Sequence, residues 1–195
     1  MRSSSIALLG VGWATILGCT LEAGRDPDPD RARAAEIVTA APIANFARVS
    51  PGIYRGARPS DEGLAYLKSI GVRTVLDLEI GDWVEARPAD IEHEKQAVEE
   101  LGLAFVARPM SAFQPFVDDD AMNETLAVLA DPAAGPIYVH CKHGQDRTGL
   151  VIGLERVLGE GWDAIDAHDE MLAAGFHRYF WGLEHYYEEK TGFED

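Results

Sequence analysis

Along most of the chain, apolar positions alternate between two periods, and the alternation is punctuated by glycine. Gly52-Ile-Tyr-Arg55 reads as a short strand. From Ser60 to Gly71 the apolar residues Leu64, Leu67 and Ile70 recur at helical spacing, behind a Ser that caps, two acids in the first turn and a closing glycine. Val72 to Leu78 is β-branched and largely apolar, which predicts a buried strand. Ala89 to Leu101 is a charged helix stopped by Gly102, and Leu103 to Val106 is a strand. Asp120 to Leu129 predicts a helix closed by DPAAGP, and Pro136 to Cys141 a further strand. Helices follow over about Arg147 to Leu158, Asp163 to Ala174 and Tyr179 to Glu188. Strand and helix in regular succession predict an α/β fold, a mainly parallel central sheet with helices on both faces. Ligands of such sheets bind at the carboxyl ends of strands, which directs attention to the end of PIYVHC.

The first 44 residues break this rhythm. Arg2 precedes an uncharged, mostly apolar run of 13 residues, Ile6 to Gly18, which is too short for the roughly 20 residues of a spanning helix. It fits the apolar core of a signal peptide over residues 1–18. The run ends Ile-Leu-Gly-Cys19, which resembles the bacterial lipobox, so Cys19 is expected to carry a lipid and anchor an exported chain in the cell envelope or periplasm. The other readings are a plain secretory signal cleaved near Gly18 or Ala23, and an uncleaved anchor. Residues 19–44, with DPDPDRARAAE, read as a flexible tether, and residues 45–195 as the folded domain.

Composition narrows the choice of partners. The chain has 195 residues, with 17 Lys+Arg against 33 Asp+Glu and a formal charge of −16. That balance argues against nucleic acid and against a polybasic grip on anionic membrane, because both need clustered cations. It leaves room for an anionic substrate in a small basic pocket. The two cysteines, Cys19 and Cys141, make no disulfide framework.

The segment His140 to Gly149, HCKHGQDRTG, carries the chemistry. A thiol closes a buried strand; five residues later comes Arg147, then Thr148, then a helix. A short loop of this kind turns backbone N–H groups inward, and the helix that follows adds its N-terminal partial charge. Gly144 lets the backbone bend and approach a ligand. Arg147 offers a fork that matches two phosphate oxygens. The same positive field favours the thiolate of Cys141, and Thr148 is placed to donate to the sulfur when it leaves. Lys142, His143, Gln145 and Asp146 complete the candidate phosphate-binding loop.

HCKHGQDRTG resembles the signature of the cysteine-dependent phosphatases: His-Cys, five residues, Arg, Ser or Thr. IYRGARPSDEGLAYLKSIGVRTVLDL resembles the entry segment of bacterial dual-specificity phosphatases, and QPFVDDD with PIYVHC resembles the atypical dual-specificity enzymes of plants and fungi. The likeness spans roughly residues 45 to 190. It implies a phosphatase fold and a phosphocysteine mechanism in which Cys141 attacks phosphorus, an acid protonates the leaving oxygen and water hydrolyses the intermediate. It implies no metal and no cofactor. His140, Cys141 and His143 as zinc ligands, an inert core cysteine, sulfur transfer, and a phosphate-binding module without turnover are the competing readings.

The resemblance leaves the acid open. Relatives carry an Asp on a loop about 30 residues before the nucleophile; here that stretch is RPMSAFQP, without a carboxylate. Asp146, in a GxDRT pattern similar to myotubularin-type phosphatases, is the first substitute, Asp118, Asp119 or Asp120 the second, and water or a group of the substrate the third. Lys142 resembles a lysine that binds extra phosphates in lipid and inositol phosphatases, while Gln145 replaces a second lysine found in some of them. With Arg55 and Arg58 expected at the mouth, this tilts the reading toward an inositol phosphate or phosphoinositide over phosphotyrosine.

Overall fold

The computed structural model describes residues 34–81 and 86–194. The signal peptide, Cys19, most of the tether and Trp83 lie outside the described residues. Six strands, β1 (Glu36–Ile37), β2 (Ala47–Ser50), β3 (Ile53–Ala57), β4 (Thr74–Asp77), β5 (Ala104–Ala107) and β6 (Ile137–Cys141), form one sheet in the order β1-β2-β3-β6-β4-β5. β6 pairs in parallel with β3 and β4, and β4 with β5. β1, β2 and β3 are antiparallel neighbours. The last strand of the chain therefore occupies the middle of the parallel part, and its carboxyl end opens at the sheet centre.

The helices are α1 (Asp61–Ser69), α2 (Pro88–Glu100), α3 (Asp119–Ala130), α4 (Asp146–Leu154), α5 (Ala164–Ala173) and α6 (Trp181–Thr191), with a π turn at Glu155–Gly159 continuing α4. Strand side chains alternate between two apolar layers, because successive residues of a strand face opposite ways. Val75 and Tyr138 join Leu64 and Leu67 of α1 and Val98 of α2. Leu76, Ile137 and Val139 join Leu150, Ile152 and Leu154 of α4 and residues of α3, α5 and α6. All of α4 is buried, since it lies between the sheet and the outer helices.

Capping follows the sequence reading. The Ser60 hydroxyl accepts from Gly63 N–H at 3.2 Å, and Asp118 and Asp163 cap α3 and α5 in the same way. Two expectations need correction. Residues 34–44 are not all tether: Glu36 and Ile37 pair with Arg48 and Ala47, Ile43 is buried, and Ala35 N–H donates to Glu170 at 2.7 Å. A two-residue strand is too short to leave a periodic signature. The last helix begins at Trp181 and not at Tyr179, which stays in the loop before it.

Candidate active site

β6 delivers Cys141 to the centre of the sheet with 2% of its surface exposed. Residues 142–145 turn away from the strand, and α4 starts at Asp146. Gly144 carries the turn at φ +69°, and a Cβ there would meet the Gly56 carbonyl carbon at 2.2 Å. Only glycine fits, because β3 passes directly behind the loop. The Gly144 carbonyl accepts from Arg55 Nη2 at 2.8 Å and from Asn45 Nδ2 at 2.9 Å. Arg55 is 1% exposed, and burial pushes its guanidinium below the ordinary value, though Glu170 and Cys141 attract the charge.

Cys141, Lys142, His143, Gln145, Asp146 and Arg147 share a cavity of about 370 Å³ with Ala112, Phe113, His177, Tyr179 and Phe180. Arg147 reaches the Leu78 and Met110 carbonyls at 3.4 Å each, so the loops after β4 and β5 hold its fork. The Thr148 hydroxyl is buried without a hydrogen-bond partner among the described residues, an uncommon state that leaves its proton uncommitted. Asp146 lines the cavity, and its Oδ1 accepts from the His177 backbone N–H and lies 2.9 Å from His177 Nδ1. Phe113 and Phe180 meet edge to face at 5.4 Å, and Tyr179 lies 4.4 Å from Phe180, forming an aromatic wall.

The other acid candidates are elsewhere. Asp118 caps α3, and Asp119 accepts from Tyr186 and Lys190, with both carboxylates on a second hollow beside Phe116 and His185. Asp120 is exposed in the first turn of α3. The arginines expected at the mouth are also displaced. Arg55 lies under the loop, and Arg58 is bonded to Glu79 at 2.7 Å.

Behind the loop stands a buried charge cluster. His140 Nε2 lies 2.9 Å from Glu94 Oε1 of α2, a close ionic contact without hydrogen-bond alignment, and Nδ1 lies 3.9 Å from Asp77. Burial alone would push this imidazole down, but Glu94, then Asp77 and Glu79, overcome it and raise its pKa to about 9. Burial lifts Asp77 to about 6, against the pull of His140. Asp77, Glu79 and His140 bring ligand atoms within 4.8 Å of one another, but Arg58 holds Glu79, and the imidazolium has no lone pair to give. His140 and His143 do not converge on a metal: one is buried, the other exposed.

A family model described as the tyrosine phosphatase family matches residues 40–179. The chain belongs to that family. It is a phosphatase. Dual specificity protein phosphatase TpbA of Pseudomonas aeruginosa is 32% identical over 175 residues, 88% of this chain and 72% of that protein. Inositol diphosphatase DSP1 of Oryza sativa subsp. japonica is 32% identical over 131 residues, 66% of this chain and 56% of that protein. The crystal structure of a TpbA variant in complex with phosphotyrosine has a TM-score of 0.63 at 28% identity, over 80% of this chain and 90% of that chain.

Sequence reasoning placed Cys141, Lys142, His143, Gln145, Asp146 and Arg147 together, and all six line the cavity. It missed His177, Tyr179, Phe180, Phe113 and the Glu94 contact. The signal for three of them was there: FHRYF, directly after Gly175, packs a histidine, an arginine and three aromatics between α5 and α6. Loops that dense in side-chain chemistry serve sites more often than cores.

Proposed function

We propose that the phosphatase acts through a phosphocysteine on Cys141 and takes a phosphate carried on an aromatic ring, phosphotyrosine in a peptide. The observation that carries this is the cavity itself: a nucleophile and Arg147 at its floor, with Phe113, Tyr179 and Phe180 as its wall. Arg147 and the α4 N-terminus bind the phosphoryl oxygens. The Cys141 sulfur displaces the ring oxygen, and Thr148 supplies the hydroxyl that stabilises the sulfur when water attacks. The ring of the substrate packs against the aromatic wall.

The chain's charge supports this choice. At −16 overall, its field repels polyanions at a distance, and a single phosphate suffers least. The relatives supply both chemistries, phosphotyrosine in the TpbA complex and inositol diphosphates in the plant enzyme's name. Lys142 and His143, exposed on the loop and facing the cavity, support the second reading, an inositol phosphate. Turnover on p-nitrophenyl phosphate, a phosphotyrosine peptide and inositol hexakisphosphate separates them. The peptide is expected to have the highest kcat/KM of the two physiological classes; preference for the inositol phosphate overturns the choice of substrate.

We also propose export with a lipid on Cys19, on the strength of residues 1–19 alone. No described helix is long and apolar enough to cross a membrane. Mass spectrometry of membrane-extracted protein should find an acylated Cys19; an unmodified N-terminus beyond it rejects the anchor.

A further inference from the structure

The loop between α5 and α6 is fastened to the phosphate loop at three points. Asn45 Nδ2 bridges them, donating to the Gly144 carbonyl at 2.9 Å and to the Ala174 carbonyl at 3.0 Å. Asn45 adopts φ 55°, a left-handed conformation that asparagine tolerates better than most residues. Gly175, at φ +89°, lies so close to Gln145 that a Cβ would stand 2.5 Å from Nε2. Asp146 Oδ1 then takes the His177 N–H at 2.9 Å. Together these place His177 beside the first residue of α4 and on the wall of the nucleophile's cavity.

The His177 ring repeats the contact. Its Nδ1 is 2.9 Å from the same Oδ1. A carboxylate oxygen accepts, so Nδ1 carries hydrogen there. This fixes the ring orientation and leaves Nε2 as its second polar atom, without a partner among the described residues. Tyr179, 5.1 Å between ring centres, packs beside the imidazole. Asp146, accepting two N–H groups on one oxygen, is arranged as an acceptor and an orienting group. The other charged side chains of the cavity, Lys142, His143 and Arg147, offer no second carboxylate.

We infer that His177 is the proton donor for the leaving oxygen and Asp146 the residue that positions it. This rests on the phosphocysteine reading of Cys141. In the first step the sulfur forms a bond to phosphorus and the P–O bond breaks. Its electron pair goes to the leaving oxygen, which takes the proton from His177 Nε2. The imidazole, now neutral, keeps its Nδ1–H on Asp146. In the second step Nε2 takes a proton from the attacking water as the O–P bond forms. The P–S pair returns to Cys141, and the imidazolium is restored.

The test uses leaving groups of different need. p-Nitrophenolate leaves without help, whereas phenolate and alkoxide leave slowly unless protonated; general acid catalysis contributes about 10²–10⁴-fold. His177→Asn keeps an amide near the Nδ1 position and removes Nε2. In kcat/KM, which reports only the steps up to P–O cleavage and so leaves out the later hydrolysis of the shared intermediate, it is expected to stay within about threefold of wild type on p-nitrophenyl phosphate and to lose about 10²-fold or more on phenyl phosphate. Asp146→Asn is expected to show the same selective loss, since it frees the ring. Equal loss of kcat/KM on both substrates assigns His177 a structural or binding role and overturns the inference. So does no loss on either, and so does a selective loss in Asp146→Asn alone, which would make Asp146 the donor. If wild type itself forms no phosphocysteine, the underlying reading fails, an outcome distinct from all three.

Discussion

Arg55, on β3, donates from the buried side of the loop between β6 and α4 to the carbonyl oxygen of Gly144 at 2.8 Å. Among the described residues its Nε and Nη1 have no hydrogen-bond partner, so a buried cation serves to hold one carbonyl. Burying a charge costs several kcal/mol unless it is paired, and replacing it with an apolar group of similar shape is often neutral for stability. The fold gains little from this residue, and the loop gains its shape.

Arg55→Met should therefore separate stability from activity. Methionine keeps the length and loses the donor. The expected result is a melting temperature within a few degrees of wild type and a kcat/KM lowered about tenfold or more, a cost of ~1.5–3 kcal/mol typical of a hydrogen bond to a charged group. Thermal unfolding and steady-state kinetics on one preparation check it; a large drop in Tm with unchanged kinetics contradicts it.

The cluster behind the loop predicts a pH dependence. The folded pKa of His140, about 9, lies above its ordinary value, so its contribution to stability is complete below about 6.5 and is lost as pH rises through about 9. Asp77, raised to about 6, is also better tolerated when protonated, and its stabilisation is lost earlier, between about 4 and 6. Glu155, raised to about 7 by burial and then by Glu160, works in the same direction over an intermediate range. Denaturant unfolding from pH 6.5 to 9 should show stability falling by about 3 kcal/mol at most from His140. In Glu94→Gln that slope should flatten, and the variant should be less stable than wild type at pH 7. An unchanged slope would mean that Glu94 does not hold the charge on His140.

Asp118 tests the geometry from the other side. Its Oδ1 accepts from Ala121 N–H at 2.8 Å, and it lies on a different hollow from Cys141. Asp118→Ala should cost about 1 kcal/mol, the usual price of a lost N-cap, and leave the rate on phenyl phosphate unchanged. A collapse of that rate would restore Asp118 as the acid.

The α/β succession, the caps and the loop from Cys141 to Arg147 between β6 and α4 were legible in sequence because each rests on contacts within a few residues. Ser60 and Gly63, or Cys141 and Arg147, report on one another locally. What was illegible joins distant segments. Arg55 sits in an YRGARP stretch that suggests a mouth, yet the β3–β6 pairing turns it under the loop. Glu94 reads as one acid among many on a charged helix until α2 lies against β6. Likewise, Asp146 shows its partner only when α5 and α6 fold back and bring a histidine 31 residues away to 2.9 Å. Residues 34–44 looked like tether because a two-residue strand has no period to read.

Trapping the intermediate shows whether Cys141 is the nucleophile. Enzyme quenched during turnover of p-nitrophenyl phosphate should carry one phosphoryl group, located by peptide mass spectrometry on Cys141. Cys141→Ser should show no turnover and no label while still binding inorganic phosphate, since Arg147 and the α4 N-terminus remain. Full activity in Cys141→Ser, or a phosphoryl group found on another residue, would mean that Cys141 is not the nucleophile.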